Sequence, residues 1–214
     1  MNGSALAVNW AQQNADAILE AWYPGEGGSQ AIAETLAGSN NPAGRLPVTF
    51  YASLDQLPPF DDYAMANRTY RYFKGKPLYG FGYGLSYTTF AYSNLKLSAT
   101  SLHAGDTLTV EADVKNTGKR AGEEVAELYL TPPRTDVSPN LALDGFTRVS
   151  LAPGETKHIS LTLDRRTLSQ VDDKGVRAVT PGTYKIAIGS AQPAETTNTQ
   201  TATFTIEGTE QMPR

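Results

Sequence analysis

Between about residue 91 and residue 207, apolar residues recur at every second position. Leu95, Leu97 and Ala99 alternate with polar neighbours. So do Leu108, Val110, Ala112 and Val114, with Thr109, Glu111, Asp113 and Lys115 on the other face. The pattern returns at Ala126, Leu128 and Leu130, at Ile159, Leu161 and Leu163, at Tyr184, Ile186 and Ile188, and at Ala202, Phe204 and Ile206. In a strand, successive side chains point to opposite faces, so such a segment buries one face and wets the other. Asn116-Thr117-Gly118, Ala152-Pro153-Gly154 and Thr180-Pro181-Gly182 supply turns between the segments. About seven short strands with this period predict an antiparallel β-sandwich.

Residues 1–60 have another texture. Ser4 is positioned to cap a short helix carrying Leu6 and Trp10 one turn apart. Ala17-Ile18-Leu19-Glu20-Ala21-Trp22 is a nearly continuous apolar run, as in a strand covered on both faces. The loop Tyr23-Pro24-Gly25-Glu26-Gly27-Gly28 follows, its glycines permitting positive φ. Ser29 opens a second helix with Ile32 and Leu36 on one face and Gly38 at the left-handed C-cap. A further apolar strand is expected over Leu46-Pro47-Val48-Thr49-Phe50. Strand, loop, helix and strand make one crossover unit of a parallel sheet. One such unit cannot cover both faces of a sheet, so it is incomplete or docks on something else. The reading is therefore an α/β fragment (residues 1–60), a Tyr/Gly-rich connecting segment (61–90), the sandwich (91–208) and a short tail (209–214).

Composition excludes several classes. With no Cys, disulfides and thiolate zinc sites are impossible, and two His cannot make a multi-His site alone. The net charge of −4 carries no basic block, against a nucleic-acid partner. No apolar run approaches the ~20 residues of a membrane-spanning helix. Met1 to Leu6 lack the basic and apolar regions of a signal peptide. No signature of a cofactor or metal is present, and no Gly-x-Ser-x-Gly elbow supports an esterase.

The loop Gly25-Glu26-Gly27-Gly28-Ser29 sits before a helix, where backbone N–H groups can hold an anion. It lacks the Walker spacing and lysine, and Glu26 would repel a phosphate. Glycosidic hydrolysis needs a carboxylate pair, ~5–5.5 Å apart for retention. Glu26, Asp61 and Asp62 are the loop candidates, although adjacent Asp61 and Asp62 more often mark a solvated turn. His158 alternates with Ile159 and so points outward, and His103 lies at a turn. The aromatic-rich segment containing Tyr63, Tyr70 and Arg71 offers a sugar-stacking surface; a packed linker is the simpler reading.

Three stretches together resemble the C-terminal end of glycoside hydrolase family 3, in its β-glucosidase and β-xylosidase branch. They are Ala21–Ala33, Asn41–Phe50 and Tyr79–Phe90, in matching order and spacing, with Asn67-Arg68-Thr69-Tyr70-Arg71-Tyr72-Phe73 fitting the same pattern. Leu143–Val149, Leu151–Glu155 and Pro181–Tyr184 resemble the family's fibronectin type III-like domain, an immunoglobulin-like sandwich. The resemblance implies a (β/α)8-type barrel with the nucleophilic Asp, and an acid/base Glu in most branches, both lying before the matched segments. No catalytic residue of the family maps onto this chain. Glu26 falls in a motif where it shapes the loop, and Met1 reads as an internal Met of a longer parent.

The resemblance thus implies an accessory part of a β-glycosidase, meeting β-linked glucosides or xylosides through the parent enzyme, plausibly periplasmic or secreted. A stand-alone small hydrolase and a carbohydrate-binding module are the alternatives. Ile18, Leu19, Trp22, Ile32, Leu36 and Val48 need cover, from the catalytic domain or by self-association.

Overall fold

The alternating segments form seven long strands that close on one core. The computed structural model describes residues 3–213; Met1 and Asn2, on which the leader reading partly falls, lie outside them. The long strands are β1 (Phe90–Leu97), β3 (Leu108–Asn116), β4 (Gly122–Thr131), β5 (Ala142–Leu151), β6 (Thr156–Leu163), β9 (Gly182–Gly189) and β10 (Thr199–Glu207). Short strands fill between them: β2 (Ser101–His103), β7 (Gln170–Val171), β8 (Arg177–Val179) and β11 (Glu210–Gln211). One sheet has the order β1-β3-β6, the facing sheet β2-β10-β9-β4-β5, and β11-β8-β7 makes a small third sheet. Pairing is antiparallel except between β10 and β2.

The period-two pattern decides which residues meet. Leu108, Val110, Ala112 and Val114 of β3 are fully buried against Leu128, Ile186 and Ile188 of the opposite sheet. Tyr184 and Phe204 are cross-strand partners, stacked with centroids 5.3 Å apart. The buried Tyr184 hydroxyl donates to the Thr180 carbonyl at 2.8 Å, as an enclosed phenol requires. Phe146 of β5, by contrast, is 65% exposed.

The first 87 residues are irregular around short helices: α1 (Asn9–Asn14), α2 (Gly28–Ala37), a 3-10 turn (Leu54–Gln56) and α3 (Thr69–Tyr72). Gly38 closes α2 in the left-handed conformation expected of it (φ 75°). Two helix starts differ from the sequence expectation. The first helix begins at Asn9, well past Ser4, and α2 begins at Gly28, with Gly27 and not Ser29 before it. The glycines of that loop avoid positive φ; what requires Gly28 is the close approach of the Pro24 ring.

Neither expected strand of the crossover unit is part of a sheet among the described residues: Trp22 has φ 51°, and the chain bends at Pro47 and Val48. Ala17–Trp22 is unpaired, and Leu46–Phe50 contributes one bridge, Phe50 to Tyr79. A strand is stable only when a neighbour takes its backbone hydrogen bonds. The connecting segment is pinned by rings. Phe50 lies between Trp22 and Tyr79, Tyr51 meets Phe73 edge-on at 5.0 Å, and Tyr70 stacks on Phe81 at 4.2 Å.

Candidate functional site

The carboxylates named from sequence lie on the surface: Glu26, Asp61 and Asp62 are all exposed. Asp62 shapes its own turn: its Oδ1 accepts from the Ala64 N–H at 2.9 Å, and its N–H donates to the Pro59 carbonyl. Arg68 ties this loop together through the carbonyls of Pro59, Asp62 and Ala64. Tyr63 is 89% exposed and has no ring contact among the described residues. Tyr70 is committed to packing, with Phe81 on its face, Tyr129 at its edge and its hydroxyl accepting from the Leu143 N–H at 3.0 Å. His158 is exposed and hydrogen-bonded to Asp113 at 2.9 Å.

The charged groups that are buried lie elsewhere, where the first 87 residues meet β4. Alternation sends Ala126, Leu128 and Leu130 inward and Glu127 and Tyr129 outward. That outward face is covered, so Glu127 is only 3% exposed and Tyr129 1%. Residues 79–83 do the covering. They run beside residues 46–50 through Gly82 N–H to Leu46 O (2.8 Å), Leu46 N–H to Tyr83 O (2.9 Å) and Phe50 N–H to Tyr79 O (2.9 Å).

Two linked pairs form the junction. On the inward side, Glu124 accepts from Arg45 Nη2 at 2.8 Å and from the Tyr92 hydroxyl at 2.8 Å. Arg45 also donates from Nε to the Ser190 carbonyl at 3.0 Å. On the covered outer face, Tyr129 donates to Glu127 Oε2 at 2.8 Å, under Gly82. Burial raises Glu124, and the Arg45 guanidinium and the Tyr92 hydroxyl oppose the rise. Burial pushes Glu127 up to about 7, partly offset by the Tyr129 hydrogen bond. Both phenols are raised by burial and by the carboxylate beside each.

A consequence for pH follows. Across roughly pH 4.5 to 7, folded Glu127 keeps a proton that the unfolded chain has lost. The folded state then binds more protons, so stability falls as pH rises through that window. The unfolding free energy from urea titration is expected to be higher near pH 5 than near pH 8, with about 1–3 kcal/mol of the difference from Glu127, and Glu127→Gln should reduce the difference by that share. A difference that Glu127→Gln leaves unchanged would refute this assignment.

No metal-ligating cluster is found among the described residues. The junction joins two parts of the chain that lie far apart in sequence. Sequence reasoning missed Arg45, Glu124, Glu127 and Tyr129. The available signal was weak: three acidic residues in β4, two of them buried, with nothing in the chain order to identify their cover.

A ring-pinned, helix-bearing segment is thus docked on a β-sandwich, a two-part architecture. Residues 1–87 match the glycosyl hydrolase family 3 C-terminal domain, and residues 124–192 match the fibronectin type III-like domain. A xylan 1,4-beta-xylosidase of Xylanibacter ruminicola is 40% identical over 191 residues, 89% of this chain and 22% of that protein. A periplasmic beta-glucosidase of Salmonella typhimurium is 39% identical over 202 residues, 88% of this chain and 26% of that protein. The structure of beta-glucosidase 3B from Thermotoga neapolitana in complex with alpha-D-glucose superposes with a TM-score of 0.88 at 31% identity, covering 100% of this chain and 31% of that one. The chain belongs to glycoside hydrolase family 3 and matches its C-terminal portion. It spans about a quarter of the length of the curated relatives it matches.

Proposed function

We propose that this chain serves as the C-terminal accessory part of a family 3 β-glycosidase and is not catalytic by itself. The observation that carries this reading is the distribution of exposed apolar side chains. Trp10 (75%), Leu36 (69%), Leu54 (83%) and Phe60 (97%) are open to solvent, with Ile18, Leu19 and Val48 also exposed. Among the described residues, every exposed large apolar side chain except Val137, Phe146 and Val171 lies before residue 88. The sandwich beside them is close-packed. Apolar surface gathered on one part of a soluble protein marks an association site. The occupant favoured here is a catalytic domain that supplies the carboxylate pair glycosidic hydrolysis needs. β-Glucosides or β-xylosides would be met through that domain.

The test is hydrolysis of aryl β-glucoside and aryl β-xyloside by the purified chain, beside Glu26→Gln and Asp61→Asn. No turnover is expected from any of the three. The chain alone is expected to self-associate in sedimentation velocity, and to form a mixed complex when a barrel-bearing portion of a family 3 relative is added. Turnover that vanishes in one of the variants would overturn the reading in favour of a stand-alone hydrolase.

A further inference from the structure

A cavity of about 150 Å³ opens between α3, β5 and the β7–β8 hairpin. Arg71 of α3, Asp144 of β5 and Arg177 of β8 all line it. Asp144 is there because of a β-bulge. The β4–β5 register runs from Leu128↔Gly145 to Tyr129↔Leu143, which leaves Asp144 as the extra residue of β5. Bulges re-aim side chains, and this one adds a carboxyl to a cavity wall.

That carboxyl has no hydrogen bond or ion pair with any described residue, and burial pushes it up to about 7 against the attraction of Arg71. The Arg71 guanidinium also lacks a hydrogen-bond or ion-pair partner among the described residues. Only its backbone is engaged, its carbonyl accepting from the Asn140 N–H. Arg177 is steadied by Ser169 Oγ at 3.0 Å. Both side chains are half-buried and line the open cavity. Two polar groups that share one cavity without protein partners are placed to meet water or a ligand.

The remaining wall is largely apolar, with Leu130, Pro132 and Leu168. A cavity of about this volume accepts a six-membered ring. It shares Val137, Gln170 and Val171 with a wider depression of about 580 Å³ that is edged by Asp136, Asp172 and Asp173. The acidic edge disfavours an anion, and the two arginines disfavour a cation. A neutral ring with paired hydroxyls suits both: hydroxyls donate to Asp144 and accept from Arg71, while the C–H face lies on the apolar wall.

We infer that this cavity is a binding subsite for one neutral pyranose ring, the terminal unit of an oligosaccharide that continues over the acidic depression. The inference needs no catalytic partner, so it can fail or hold independently of the accessory-domain reading.

The experiment is a titration of the full ¹⁵N-labelled chain with D-glucose, D-xylose, cellobiose and xylobiose, and with acetate and phosphate as anion probes. Saturable amide shifts are expected at residues 142–144 and 168–171 with the sugars. Asp144→Asn and Arg71→Gln should each weaken binding about tenfold or more. Val137→Trp, at the mouth shared by the two depressions, should weaken the disaccharides more than the monosaccharides. Its exposed position keeps that test available if the other variants misfold. No saturable shift, equal shifts in wild type and variants, or saturation by the anions alone would each overturn the inference.

Discussion

Replacing Arg45 with alanine is expected to destabilise the protein by about 3–5 kcal/mol, the range for leaving a buried charge without its partner. Arg45 is 8% exposed at its side chain and Glu124 is fully buried, so water cannot replace the lost guanidinium. The Tyr92 hydroxyl would remain as a hydrogen-bond donor to Glu124, too little to hold an ionised carboxylate there. Glu124 would take up a proton instead, which costs stability at neutral pH and less in acid. The loss should therefore shrink as pH falls, and a second change, Glu124→Gln, should recover much of it. Urea unfolding of Arg45→Ala and of the double variant measures both. A loss below about 1 kcal/mol in the single variant would mean that the pair is solvated in solution and does not hold the junction.

Gly82→Ala is expected to detach the first 87 residues from β4 while leaving the sandwich folded. Gly82 has φ 80°, where a Cβ costs about 1–2 kcal/mol. That Cβ would also fall within 3.0 Å of Glu127 Oε2 and the Tyr129 hydroxyl oxygen, two atoms already bonded to each other. Both are buried, so neither can swing into water. Breaking their hydrogen bond would add about 1–3 kcal/mol. Hydrogen exchange should show lost protection at Leu46, Phe50 and Gly82, with β3, β4 and β9 unchanged. Gly25→Ala is the control, because a Cβ there meets nothing. Retained protection at Leu46 and Gly82 in Gly82→Ala would show that the cover is held by the ring contacts and not by this close approach.

The sandwich was legible because alternation is local. Val110 and Val114 point inward whatever lies around them, since the period of the strand allows nothing else. The left-handed cap at Gly38 and the turns at Ala152-Pro153-Gly154 and Thr180-Pro181-Gly182 were legible for the same reason. The first 60 residues were less so. Ala17–Trp22 has the composition of a covered strand, but composition cannot supply a neighbour, and among the described residues none is present.

The buried carboxylates were beyond the reach of pattern. Glu127 and Tyr129 occupy positions that alternation assigns to the outer face of β4, and they do point outward. Only the folded chain shows that residues 79–83 lie over that face and that Arg45 reaches Glu124 from 79 positions away in the chain. Asp144 is similar: its bulge arises from a register shift between two strands and leaves no mark on one strand read alone. The sequence by itself determined the strand faces, the turns and the family likeness, because each depends on residues close together in the chain. The tertiary structure alone decided which charges are buried, what they pair with and where a cavity opens, because burial depends on segments far apart in sequence.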